Sequence, residues 1–257
     1  MTATTDHLCF EQPDDPNIKI WRYVDFAKYV AMLQQKAIYF TRLDQFTDSY
    51  EGSLSKVEYE SFKSLAEKGE AEGTIPQDWK GRYFDILMGN TRRARKSNYA
   101  SCWHMGNEES EAMWRLYSTS GYAIALQSTY SRLVDVLPSH GFTGCFVGMV
   151  RYVDHHTEEI PTGNIFYPIM HKRKSFAHER EVRAVIWPGD PGPDAAYLLN
   201  SYPKGISILI DLENLIEKVY ISPLAPEWFA DTVEDVTKVY GFSMPVRQST
   251  LIQPPYV

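Results

Sequence analysis

The stretch 171–187, HKRKSFAHEREVRAVIW, holds the residue types in this chain that are best suited to chemistry. Its second half alternates charged and apolar residues, which predicts a strand on which Glu179, Glu181 and Arg183 share one face. Two interpretations are open. Either the strand is half exposed with a solvated charged face, or it borders a cleft in which its neighbours orient a carboxylate.

Adjacent cations precede this strand, among them Lys172 and Arg173. Ammonium and guanidinium groups bind phosphate, so Lys172 and Arg173 are predicted to hold an anionic ligand beside the carboxylates. Arg183 is a further ligand-binding candidate, and it is predicted to keep Glu181 ionised and to orient it. Glu181 is the preferred catalytic carboxylate, because a strand ladder fixes its position. Glu179, at the entrance of the strand, is the second candidate.

A charged residue also interrupts an early strand, which is predicted at 18–24 and is followed by a helix that Asp25 caps. Arg22 lies on one face of this strand with Ile18, Ile20 and Val24, and a charge on an otherwise apolar face is normally paired or functional. Arg22 is therefore predicted to converge with Glu181 and Arg183 on one cleft, although they are far apart in sequence.

Aromatic residues make up 14% of the chain, so any cleft is expected to be lined by them. The aromatic wall under the cleft is predicted to consist of Trp103, Met113, Trp114, Tyr117 and Tyr122.

The composition of the 257 residues is that of a globular protein, with 44% hydrophobic and 23% charged residues. A formal net charge of −7 argues against a protein that coats DNA by neutralising phosphates. No leader pattern is visible and no apolar run approaches about 18 residues, which predicts a soluble, cytoplasmic protein without a membrane partner. The three cysteines are widely spaced and predict neither disulfides nor a metal site.

Predicted strands and helices alternate irregularly along the chain. This order predicts an α+β fold, with a mixed, largely antiparallel sheet and short helices. Two charged amphipathic segments predict a helical insertion at about 53–98. Residues 1–17 are predicted to be a flexible N-terminal arm, 18–251 a single domain that contains the insertion, and 252–257 a tail.

Several short motifs follow one another in a recognisable order: WRY at 21–23, FTDSYE at 46–51, SCWH at 101–104, MWRLY at 113–117, EREVR at 179–183, VYISP at 219–223 and STL at 249–251. Together they resemble the bacterial domain of unknown function 2971 family over 18–251. The segment 46–51 departs from the family pattern, because Thr-Asp-Ser replaces Asn-Asp-Pro and the proline would fix the loop. The resemblance implies a bacterial or phage protein that acts as a toxin or in a defence or mobile-element setting.

A second resemblance is to the ADP-ribosyltransferase fold. Those enzymes have an early strand with Arg or His, a short helix, a second strand and a late strand with Glu-x-Glu, and here Arg22 and Glu179-Arg-Glu181 follow that order. The resemblance implies NAD as co-substrate. The carboxylate would stabilise the oxocarbenium ion as the nicotinamide–ribose bond breaks, and the arginine would hold the pyrophosphate. Tyr23 or Trp103 would stack on the nicotinamide ring. The middle Ser-Thr-Ser motif of those enzymes is missing.

Two other functions are open. A non-enzymatic sensor would bind a nucleotide or a protein through the same cations and aromatic residues, without turnover. A metal-dependent nuclease would use Asp48, Glu51, Glu179 and Glu181 as Mg²⁺ ligands. In a common sheet nuclease a lysine follows the acidic residue by two positions, whereas this chain has Arg183, a poor base.

Cys102 and His104 share one face of a predicted strand, which is a loose fit for a nucleophile and its base. A buried structural cysteine is the favoured interpretation.

Overall fold

The fold of the protein, from a computed structural model, is described for residue 3 and for residues 5–117, 121–138, 144–189 and 196–251. The predicted tail at 252–257 lies outside the described residues. No helix in these described ranges combines the length and the apolar character that crossing a bilayer requires.

Strands and helices follow one another in the mixed order that was predicted, which confirms the α+β class. The strands are β1 Lys19–Asp25, β2 Ala37–Arg42, β3 Tyr99–Met105, β4 Ala123–Thr129, β5 Gly144–Met149, β6 Arg151–Val153, β7 His171–Arg173, β8 Glu181–Trp187, β9 Gly205–Leu209, β10 Lys218–Ile221 and β11 Val246–Gln248. The helices are α1 Phe26–Gln35, α2 Lys56–Glu72, α3 Tyr83–Ser97, α4 Glu111–Tyr117, α5 Tyr130–Val136, α6 Leu212–Leu215 and α7 Glu227–Val239.

Nine strands of the described chain form one sheet, in which β11, β10, β4, β1, β3, β2 and β9 are successive neighbours. Strand β8 pairs with β3 along its other edge, and β5 pairs with β8. All these pairs are antiparallel except β10 with β11. Strands β6 and β7 form a separate parallel pair. The sheet is therefore mixed and largely antiparallel, as predicted.

Local sequence signals explain how β1 is followed by a helix and then by β2. The Asp25 carboxylate accepts the Lys28 N–H at 2.8 Å and caps α1. Tyr29 and Leu33, one helical turn apart, are completely buried against the sheet. Lys36 ends the helix in the left-handed conformation, with φ 50°, and the chain turns back into β2.

The N-terminal segment is packed rather than loosely held, so the prediction of a flexible arm is wrong for the described residues 5–17. Phe10 is 2% exposed and its ring stacks on Phe146 at 5.1 Å. A Cβ at Gly148 would approach the Phe10 backbone to 2.8 Å, so a glycine is needed in β5 at this crossing. The Gln12 side chain donates to the Val147 carbonyl at 2.9 Å and fastens the segment.

The two helices α2 and α3 occupy the region of the predicted insertion. A capping box at Ser55 and Glu58 starts α2. The buried Glu58 carboxylate accepts the Ser55 N–H at 2.8 Å and the Ile160 N–H at 2.6 Å. The insertion is thus joined to the loop that precedes β7.

Candidate functional site

The charged face of β8 is buried, so the interpretation of a half-exposed, solvated strand is wrong. Glu181 is 3% exposed and Arg183 is completely buried. Both side chains lie on one face, as predicted, because they are two positions apart on a strand. This strand pairs with β3 along one edge and with β5 along the other. Glu179 is not part of this strand, since it ends the 3₁₀ turn Lys174–Glu179.

Arg183 bridges two carboxylates that come from distant parts of the chain. Its Nε donates to Glu181 Oε1 at 2.7 Å and its Nη2 donates to Glu51 Oε2 at 3.0 Å. Its Nη1 donates to the Ile169 carbonyl, and its guanidinium lies 5.6 Å from the Phe46 ring centre. Every nitrogen of the buried guanidinium therefore has an acceptor, as a buried charge requires.

Lys172 lies between three carboxylates. Its Nζ is 3.0 Å from Glu51 Oε1, 2.6 Å from Glu179 Oε2 and 3.1 Å from Glu181 Oε2. Glu51, Lys172, Glu179, Glu181 and Arg183 together form what we call the charged cluster. It contains three carboxylates and two cations, so it has a formal excess of one negative charge.

The cluster keeps Glu181 ionised. Burial alone would raise the pKa of Glu181, but the charges of Arg183 and Lys172 outweigh burial and lower the pKa to about 2. The same cluster acts in the opposite direction on the Cys102 thiol, which hydrogen-bonds to Glu181. Burial and the charge of Glu181 raise the pKa of Cys102 well above its usual value, which disfavours the thiolate that a nucleophile needs.

The cations that were predicted to bind phosphate are neutralised within the protein. Lys172 and Arg183 belong to the charged cluster, and neither contributes to the cavity described below. Arg173 forms a bidentate pair with Asp48 at 2.9 and 3.1 Å. Lys174 pairs with Glu158. The prediction that Lys172, Arg173 and Arg183 are available for a ligand is therefore wrong.

A cavity of about 720 Å³ opens at a gap in the sheet between β1 and β2. We call this gap the split. Both strands lie along one edge of β3, but each pairs with only one end of it. Residues that line the cavity include Arg22, Tyr23, Met32, Tyr39, Phe46, Cys102, Trp103, His104, Met113, Tyr117, Glu179 and Glu181. The volume is typical of pockets for small ligands.

Arg22 and Glu181 line this cavity from opposite faces of the sheet, so the predicted convergence is wrong in the form in which it was made. Strand register places Trp21 opposite His104, and His104 opposite Glu181. Directly paired residues point to the same face, and Arg22, next to Trp21, points to the other. One cavity reaches both residues only because the sheet is split between them.

Arg22 reaches across the split. Its Nη2 donates to the Tyr39 carbonyl at 2.8 Å, and its guanidinium lies 5.8 Å from the Trp103 ring centre. Burial lowers the pKa of Arg22 to about 10, so the guanidinium remains charged at neutral pH. No carboxylate in the described chain forms an ion pair with Arg22, which makes it the predicted cation best placed to meet an anion.

The predicted aromatic wall is partly correct. Trp103, Met113 and Tyr117 line the cavity. Trp114 lies behind them, with its ring 5.0 Å from the Tyr23 ring in an edge-to-face contact. Tyr122 is not part of the wall, because it is 41% exposed and contacts Trp228 and Phe229 instead.

Sequence reasoning missed the residues that complete the site from other elements. Glu51 was considered only as a metal ligand, and Tyr152, whose hydroxyl accepts the Glu181 N–H at 2.8 Å, was not considered. His104 Nδ1 donates to the Glu179 carbonyl at 2.6 Å and positions the turn before β8. Burial lowers the pKa of His104, which favours its neutral form. No local pattern signals these contacts, since each depends on pairing between distant segments.

The carboxylates proposed for a nuclease surround an ammonium group. Lys172 Nζ fills the space between Glu51, Glu179 and Glu181, where a Mg²⁺ ion would have to lie. Within the described ranges no group of three or more His, Cys, Asp or Glu side chains is arranged to hold a metal ion. The cluster thus offers no support for the nuclease alternative.

Comparison with known proteins found no matching family model, curated protein or solved structure. The resemblances to the domain of unknown function 2971 family and to the ADP-ribosyltransferase fold remain predictions.

Proposed function

We propose that the protein acts on NAD in the cavity between β1 and β2 and transfers or hydrolyses its ADP-ribosyl group. The observation that carries the proposal is the Glu181 carboxylate, which is held ionised at an aromatic cavity that also contains Arg22. A carboxylate that is held ionised in a fixed position stabilises positive charge that develops in a transition state.

Cleavage of NAD creates positive charge that a nearby carboxylate can stabilise. As the bond between ribose C1′ and the nicotinamide nitrogen breaks, its electron pair leaves with the nitrogen, and positive charge develops on the ribosyl group. A water molecule or an acceptor side chain then attacks C1′ and releases its proton to solvent. The pyridinium charge of NAD thereby passes to the ribosyl group as neutral nicotinamide leaves, and the excess negative charge of the charged cluster would stabilise this charge on the ribosyl group.

The two carboxylates have different capacities to contact a ligand. Glu181 already accepts from Arg183 through Oε1 and from Lys172 through Oε2. Glu179 uses only Oε2, and no described residue donates to its Oε1. We therefore assign the contact with the ribosyl group to Glu179 and the fixed negative charge behind it to Glu181, a positioning residue.

The remaining residues of the cavity suit the rest of NAD. Arg22 would hold a phosphate through its guanidinium, with Trp103 behind it. Tyr117 lines the cavity and is 46% exposed, and its ring would stack on a base or on nicotinamide.

A binding module without turnover is the second candidate, and one observation favours it. Both oxygens of Glu181 are occupied by cations, which is what a purely structural ion network would also show. Such a sensor would bind NAD or a related nucleotide through the same cavity.

Calorimetric titration of NAD, combined with chromatography of the products, separates the two candidates. The proposed enzyme binds NAD and releases nicotinamide, Arg22→Ala weakens binding, and Glu179→Gln abolishes release while retaining binding. Binding by the parent protein without release supports the sensor. If NAD does not bind at all, both candidates are wrong for this ligand.

A further inference from the structure

The middle of β3 has no strand partner on the side of the split. Along one edge, β3 pairs with β8 from Tyr99 to His104. Along the other edge, Ala100 pairs with Thr41 of β2 and His104 pairs with Trp21 of β1. Between these pairs the register gives Cys102 no partner in either strand. We call the part of the split that faces Cys102 the slot.

The main-chain groups of Cys102 point into the slot. Successive residues of a strand direct their N–H and C=O to alternate edges. Gly106 donates to the Lys19 carbonyl at 2.9 Å, so even-numbered residues of β3 face β1. Met105 donates to the Arg180 carbonyl at 2.8 Å, so odd-numbered residues face β8. Cys102 is even-numbered and therefore presents its N–H and C=O to the slot.

The slot is part of the cavity, and a second buried donor lies beside it. Cys102, Tyr39 and Trp103 all line the cavity. The Tyr39 carbonyl is occupied by Arg22, whereas Trp103 Nε1 is buried without a hydrogen-bond partner among the described residues. Buried polar groups without partners are costly, and a ligand in the cavity would satisfy them.

We infer that the slot binds a flat ligand group that carries a hydrogen-bond donor and an acceptor side by side. A carboxamide and the amino-pyrimidine edge of adenine both have this arrangement. The N–H of Cys102 would donate to the acceptor of the ligand, and its C=O would accept from the donor. The inference rests on the same cavity as the proposed function, but it does not require turnover.

The size of the slot argues for a small group rather than a peptide strand. Strands β1 and β2 close the slot on either side, so only one residue of β3 has both main-chain groups available there. One residue provides a single pair of hydrogen bonds, whereas an added strand would need several along an open edge.

Amide hydrogen exchange, followed by NMR, tests the inference at the atoms concerned. In the free protein the Cys102 amide should exchange faster than the Ser101 and Trp103 amides, which face β8. Saturation with nicotinamide or with adenine should slow Cys102 exchange by about tenfold and leave the other two unchanged. Slowing by one compound alone identifies which end of a dinucleotide occupies the slot.

Matched compounds and a matched variant provide the controls. Nicotinic acid and unsubstituted purine lack the donor and should give little protection. Cys102→Ala keeps the main chain and should retain the effect. The inference is wrong if the free Cys102 amide is as protected as that of Trp103, if nicotinamide and adenine both leave it unchanged, or if nicotinic acid protects it equally.

The outcomes also separate this inference from the proposed function. Protection of Cys102 without release of nicotinamide from NAD would overturn the enzymatic proposal and support the slot. Release of nicotinamide without protection of Cys102 by any of these compounds would overturn the slot and support the enzyme.

Discussion

Arg183 Nε lies 2.7 Å from Glu181 Oε1, and both side chains are buried. Glu51, which is distant in sequence, also forms an ion pair with Arg183, and its Oε2 lies 3.0 Å from Arg183 Nη2. Removing charges from water is unfavourable, so a pair of this kind persists only when each charge has its partners. The geometry of the carboxylates therefore depends on Arg183, although Arg183 does not line the cavity.

Arg183→Met should destabilise the protein by about 3–5 kcal/mol, because it leaves two buried carboxylates without their shared cation. Urea unfolding of the variant and the parent measures this loss. Lys174→Met is the matched control. Lys174 pairs with Glu158 at the surface, and removing this exposed pair should cost much less, because water solvates both groups. Equal losses in the two variants would contradict the account of the cluster.

Acid should lower the free energy of unfolding of the protein, because Glu181 becomes protonated. The folded-state pKa of Glu181 is about 2, below the ordinary 4.5, so the unfolded chain binds its proton first. The stabilisation is complete above about pH 4.5 and is lost as the pH falls towards about 2, at up to about 1.4 kcal/mol per pH unit from this group. Urea unfolding between these pH values measures the free energy of unfolding. For Glu181→Gln this free energy should change less with pH than it does for the parent protein. Identical slopes would contradict the lowered pKa.

Local pattern was sufficient to predict much of the scaffold. Alternation of Val182, Ala184 and Ile186 with charged residues predicted β8, and Asp25 predicted the start of α1. These signals succeed because strand periodicity and helix caps depend on residues a few positions apart.

Such local signals could not predict the arrangement of the site. The side of the sheet that Arg22 faces depends on the register of β1 with β3, and the role of Glu51 depends on the loop that follows β2. The exposure of β8 could not be decided between the two interpretations from the sequence, because the alternating pattern of a half-exposed strand is the same when a buried ion cluster covers the charged face.

Trp114→Ala should cost about 3–5 kcal/mol, because the buried indole packs against Tyr23 and its removal leaves a cavity. Thermal unfolding measures the loss. Trp228→Ala serves as a control of the same chemistry at a side chain that is 56% exposed, and it should cost less. A Trp114→Ala protein that melts with the parent would show that the ring does not support the cavity.

Glu58→Ala should loosen the helical insertion from the body of the protein. It removes the acceptor for the buried Ser55 and Ile160 amides and should cost about 1–3 kcal/mol. Hydrogen exchange should rise in α2 and at Ile160 together. Glu60→Ala, on the exposed side of the same helix, should change stability by no more than about 0.5 kcal/mol. A rise confined to α2 would contradict the link to Ile160.

Release of nicotinamide from NAD, measured in the presence of a cell lysate as a source of acceptors, tests the central claim most directly. The account predicts that the purified parent protein, added to the lysate, releases nicotinamide and that labelled ADP-ribose appears on an acceptor or in solution. The variants Glu179→Gln and Glu181→Gln should fold but release no nicotinamide. Full release by both variants, or no release by a parent protein that is folded and saturated with NAD, would contradict it.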